Sequence, residues 1–174
     1  MLMYSLRSNS RYFSLVFAIL LLPAAQAPDE DLLYAALLKL DAATMPWAGE
    51  DYGEVYNKFS NLLMQTEPVA KRVLGSGPSA RGRRLLAILG DYRLVHEFMK
   101  AYLNDEAVLL RTIRLYKPIY FIGRDIWPAR LEKRFPGLIA ALEEKDENGG
   151  YYIPGKEALD YALLQLHERL NSVA

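Results

Sequence analysis

The residues that could do chemistry are few. The 174-residue chain contains two histidines, His96 and His167, and no cysteine. Histidine carries its proton near neutral pH and is the commonest general acid or base. His96 opens the run "HEFMK", which lacks the second histidine four residues on that a zinc-protease helix needs. Both histidines fall on predicted helices, where a lone histidine usually serves as a half-exposed polar group or a core residue with one hydrogen bond. An acid–base site would require them to converge with Glu97 or Asp160. Ser60, Ser76, Ser79 and Ser172 are the serines beyond the leader described below, and none sits in a G-x-S-x-G elbow. Without cysteine, thiol catalysis, thiolate metal sites and redox roles are excluded. Carboxylate pairs for glycan hydrolysis remain open, because the separation that matters there is spatial. The sequence shows no catalytic constellation, and it implies no cofactor.

Two short motifs suggest ligands and then fail on chemistry. "GSGPSA", residues 75–80, fits G-x-G-x-x-A, but that loop cradles a pyrophosphate only between a buried strand and a helix. The preceding "PVAKRVL" puts charges where the strand would be, so an interhelical joint is expected. "DENGGYYIPGKE", residues 146–157, places Asp146, Asn148 and Glu157 at the first, third and twelfth positions of an EF-hand loop. Gly150 and Tyr151 then stand where an oxygen ligand and the turn glycine are required. A Gly-Gly turn accounts for the segment better than calcium.

Surface chemistry is the better lead. Arg81, Arg83 and Arg84, with Lys71 and Arg72 upstream, form the densest positive cluster in the chain. Near a helix N-terminus such a cluster can bind phosphate, meet a carboxylate-rich partner or stand as a solvated helix face. Trp47, Tyr52, Tyr116, Tyr120, Phe121, Trp127, Tyr151 and Tyr152 gather in or beside the expected loops. Tyr, Trp and Arg dominate interface hot spots, and aromatics also fill gaps between helices. Arg81, Arg83, Arg84, Trp47, Tyr52 and Trp127 are therefore the candidate partner-binding residues.

The elements that must position these groups read as helices. Pro28-Asp29-Glu30-Asp31 starts the first, with proline and acids suited to its first turn, and Leu33, Leu37, Leu38 and Leu40 supply its apolar face. "MPWAGEDYG" reads as a loop. Val55, Tyr56, Phe59, Leu62 and Leu63 mark a second helix, and Thr66-Glu67-Pro68 starts a separate short one closed by Gly75. A long pattern from about Ser79 to Leu103 follows, with Gly90 a point for a kink. Asn104-Asp105-Glu106 caps a further helix through Val108, Leu109, Ile113 and Leu115. "IYFIGRDIW" has strand-like content, but a single strand cannot make a sheet, so helix or irregular packing is expected. Short helices after Pro128 and Pro136 each have proline at a first helical position. "KDENGGYYIPG" reads as a turn-rich loop, and Lys156 to Asn171 is a final helix with Leu159, Leu163, Leu166 and Leu170 on one seam.

Ahead of all this lies a leader. Arg7 and Arg11 precede the apolar block Phe13–Leu22, and Ala25-Gln26-Ala27 follows. A membrane span needs roughly 20 apolar residues, so a short block with charge before it and small residues after it reads as a cleaved secretory signal peptide over 1–27. The chain is formally neutral, with 21 basic and 21 acidic residues, so removing the two leader arginines leaves residues 28–174 slightly acidic. That balance gives no reason to expect nucleic acid, and no membrane span is expected after cleavage.

The resulting expectation is an exported, all-α single domain of about six or seven irregularly packed helices over 28–174. It is read as non-enzymatic and as binding another envelope protein, with a bacterial periplasm as the expected compartment. An immunity or inhibitor protein, or an envelope assembly factor, fits that size. The competing readings are an envelope hydrolase using carboxylates with His96 or His167, and a carrier of a small apolar ligand.

Overall fold

The computed structural model describes residues 27–44, 52–104, 112–115, 127–145 and 151–174. Leader residues 1–26, Trp47, Tyr116, Tyr120, Phe121 and residues 146–150 of the calcium-like loop lie outside the described residues. Six helices account for most of what is described: α1 (Ala27–Thr44), α2 (Tyr52–Gly75), α3 (Ala80–Asn104), α4 (Trp127–Arg134), α5 (Leu138–Leu142) and α6 (Gly155–Asn171). Among the described residues, no helix is long and apolar enough to cross a membrane.

Four long helices make the body. α1 packs on α2, α3 and α6, and α3 packs on α2 and α6. In α1, Leu33, Leu37 and Leu40 are fully buried, whereas Leu38 is 39% exposed. The helical turn explains the split, because Leu33, Leu37 and Leu40 follow the i, i+4, i+7 stripe and Leu38 points well off it. Val55, Phe59, Leu63 and Val73 of α2, and Leu85, Leu89, Tyr92, Val95 and Met99 of α3, fill the same core. The seam expected on the last helix is also there: Leu159, Leu163, Leu166 and Leu170 of α6 are all buried.

Several local expectations are overturned. Thr66-Glu67-Pro68 does not start a new helix, because α2 runs unbroken from Tyr52 to Gly75 with Pro68 inside it. Proline removes one backbone donor and frees the carbonyl four residues back. Here both Pro68 and Met64 lie on the solvent face, where that carbonyl can be hydrated. α3 runs through Gly90 as one helix. Pro136 is not the first residue of α5, since Gly137 intervenes at φ 90° in the left-handed region. Glu132 supplies that start instead, accepting the Gly137 and Ile139 backbone N–H groups at 2.8 and 2.7 Å.

The departure from an all-helical fold is a small antiparallel sheet of three strands in the order β1-β3-β2. β1 (Thr112–Leu115) falls in the stretch expected to be helix, and β2 (Glu144–Lys145) with β3 (Tyr151–Pro154) falls in the expected loop. Ile113 pairs with Ile153, and Glu144 with Tyr152. The β1 and β3 partners lie about forty residues apart in sequence, so neither of those segments announces the other. Ile153 is buried against the helices.

Candidate functional site

The polar groups capable of chemistry are drawn into contacts between helices. Asp41 of α1 is 7% exposed and receives the Tyr92 hydroxyl at 3.1 Å and His167 Nδ1 at 2.7 Å. Burial, and then the Asp41 charge and hydrogen bond, push the Tyr92 hydroxyl well above the ordinary tyrosine range. His167 Nε2 in turn meets the Asn171 amide nitrogen at 2.9 Å. With Nδ1–H donated to Asp41, Nε2 is left to accept from Asn171. The Asp–His pair therefore has no serine or other nucleophile in the base's position.

His96 stands elsewhere, on the α2–α3 contact. Its Nε2 is 2.6 Å from Ser60 Oγ, its ring stacks on Tyr56 at 4.8 Å, and Phe59 meets it edge-on at 5.3 Å. Burial and then Lys100 lower the His96 pKa from its ordinary 6.5, against a smaller opposing effect of Glu97. A neutral ring accepting the Ser60 proton has the first element of nucleophilic catalysis. The rest is missing: Ser60 is inside α2, where the neighbouring backbone N–H groups already close helical bonds and cannot hold an oxyanion. The two histidines thus serve different helix pairs and do not converge with Glu97 or Asp160. Glu97 pairs with Arg130 at 2.9 Å, and Asp160 with Lys156 at 2.6 Å.

Two further buried acids tie the bundle together. Asp91 of α3 is 4% exposed and pairs with Arg134 of α4 and with Arg169 of α6, the latter at 3.0 Å. Glu30 of α1 is 5% exposed and accepts the Ser79 N–H at 3.0 Å and the Ser79 hydroxyl at 2.7 Å. Ser79 Oγ accepts the Gly82 N–H at 3.1 Å, completing an N-cap for α3. "GSGPSA" is therefore the expected interhelical joint, and a protein carboxylate already occupies the positive end of the helix. Among the described residues, no group of three His, Cys, Asp or Glu side chains could hold a metal ion.

These acids were not singled out in the sequence, although a signal was present. Glu30 and Asp41 extend the Leu33–Leu37–Leu40 stripe, and Asp91 lies within the Ile88–Tyr92–Val95 stripe. An acid at a core position of a helix needs a partner across the interface.

The candidate partner-binding residues divide. Arg81 is committed inside the fold: it pairs with Asp31 at 2.6 Å, donates to the Val173 carbonyl at 3.4 Å, and lies 5.3 Å from the Tyr34 ring centre. Arg72 likewise pairs with Asp29 at 3.0 Å. Arg83 is exposed and donates to the Pro78 carbonyl at 3.0 Å. Arg84 and Lys71 are exposed and have no ion-pair partner among the described residues. Leu74, 64% exposed, lies on α2 three residues beyond Lys71. The α2–α3 joint thus carries one open apolar side chain, Leu74, and the exposed cations Lys71, Arg83 and Arg84.

Trp127 belongs to another region. Its ring lies 5.5 Å from Phe98, and the Arg130 guanidinium stacks on it at 4.5 Å. It lines an open cleft of about 370 Å³ with Glu97, Lys100, Ala101 and Arg130. Tyr52 opens α2, away from Trp127 in the chain, and Trp47 lies outside the described residues. Among the described residues, Arg81, Arg83 and Arg84 open α3, whereas Trp127 packs beside Phe98 near its other end.

Compared with protein-family models, curated proteins and solved structures, the chain matches none of them.

Proposed function

We propose that this chain is an exported helical protein that acts without catalysis by binding an acidic surface of another envelope protein. What supports the reading is the α2–α3 joint, where Leu74 and Lys71 are exposed at the end of α2 and Arg83 and Arg84 at the start of α3. An exposed leucine and exposed cations at one helix joint suit a partner with an apolar spot inside an acidic rim. The buried acids and both histidines support the non-catalytic part, since each already spends its hydrogen bonds joining helices. Export rests on the leader's charge, short apolar block and small-residue end. An immunity, inhibitor or assembly role in a bacterial periplasm would use such a surface by occluding or bridging its partner.

The test is a competition. Tagged wild-type protein is used to retain partners from an envelope fraction, and excess untagged protein competes. A triple variant Lys71→Glu, Arg83→Glu and Arg84→Glu should lose the competed partner, whereas Lys133→Glu should keep it. Equal retention by the triple variant would overturn the assignment of this surface.

A further inference from the structure

α1 has an outer face that its own fold leaves uncovered. Leu32 and Leu38 are 52% and 39% exposed, and Ala35 and Ala42 stand exposed between and beyond them. Few of the helix's charged residues reach this face. Glu30 and Asp41 are buried, and Asp29 faces Arg72. Asp31 and Lys39 are exposed on this face, one turn to either side of Ala35. A helix that is apolar on nearly every side is normally covered on every side.

The order of residues indicates what covers it. Counted from Ala35, Leu32 and Leu38 lie three residues to either side, Asp31 and Lys39 four, and Pro28 and Ala42 seven. A two-fold axis crossing α1 at Ala35 would set two copies antiparallel. Leu32 of one copy would then lie level with Leu38 of the other, and Asp31 with Lys39, twice over. A parallel pairing would instead set Lys39 against Lys39 and Asp31 against Asp31. Opposite charges favour the first arrangement and like charges oppose the second. Asp31 remains 66% exposed at its side chain even with Arg81 in contact, so it has room for a second cation. Ala35 at the axis lets the two backbones approach closely.

We infer that a second copy of this chain docks on the α1 face, antiparallel, with Ala35 on the axis. A helix of 18 residues is about 27 Å long and about 10 Å wide. Its face is smaller than the roughly 800 Å² per partner of a stable complex, so the dimer is reversible and concentration-dependent. This face uses none of Lys71, Leu74, Arg83 and Arg84, so the inference does not depend on the proposed function.

The chain has no cysteine, so single engineered thiols report the geometry directly. Ala35→Cys and Ala42→Cys proteins, at equal concentration, are bridged with a short bis-maleimide, and circular dichroism checks that each is folded. Ala35→Cys should give covalent dimer. Ala42→Cys should give little, because the two thiols would be about 21 Å apart along the axis. Lys39→Asp in the Ala35→Cys background should lower the yield, and adding Asp31→Lys should restore it. Equal bridging at both positions, bridging at residue 42 alone, or no bridging at either would overturn the inference.

Discussion

Glu30 stands against Gly82 so closely that a β-carbon on residue 82 would lie 2.4 Å from Glu30 Oε1 and 2.8 Å from its carboxyl carbon. The same carboxylate holds Ser79, so the start of α3 is built around the absence of a side chain at residue 82. Gly82→Ala should therefore push Glu30 off its two donors. Losing buried hydrogen bonds to a charged group costs about 1–3 kcal/mol, more than the roughly 1 kcal/mol that alanine gains over glycine in a helix. Urea unfolding should show a net loss of stability.

Gly90, in the same helix, should behave in the opposite way. A β-carbon there meets nothing nearer than the Arg134 guanidinium at 4.0 Å. Gly90→Ala should raise stability by about 0.5–1 kcal/mol through helix propensity alone. A loss in the same urea measurement would mean that α3 bends at this position.

Asp91 links three helices through Arg134 and Arg169. Both arginines are partly open to water, at 45% and 34% side-chain exposure, so each pair is worth less than a buried one. Asp91→Ala should still cost about 2 kcal/mol, because the carboxylate itself is buried and multiply bonded. Arg134→Ala and Arg169→Ala should each cost less, and their effects should not add, since both act on one carboxylate.

His96 sets a pH dependence. Its folded pKa lies below the ordinary 6.5, so the unfolded chain takes up a proton that the folded one resists. The stability it contributes is complete above the unfolded value and is lost as pH falls below it, through the lower folded value. Unfolding free energies across mildly acidic pH should slope accordingly, and His96→Gln should flatten that part of the slope. An unchanged slope in the variant would place its origin elsewhere.

The long helices were legible because their apolar residues recur at helical spacing, as Leu159, Leu163, Leu166 and Leu170 do on α6. Pro68 misled because a rule about helix interiors says nothing of the face on which proline sits. The sheet was hidden for another reason: Thr112–Leu115 becomes a strand only when Tyr151–Pro154 arrives beside it. The candidate surface was half legible. Composition marked the arginine cluster, but it could not separate Arg81, engaged by Asp31 and Val173, from Arg83 and Arg84. Nothing in the sequence marks Leu74 apart from the other leucines, because its exposure depends on which face the neighbouring helices cover.

The most direct test of the proposed function places a photo-crosslinking amino acid at position 74 of the full chain in its native cell. Position 164 on α6, also an exposed leucine at 53%, serves as the reference. We expect a discrete heterologous adduct from position 74 that is absent from position 164 and disappears when Arg83 and Arg84 are changed to glutamate. No adduct from position 74, or the same adducts from both positions, would contradict the proposal.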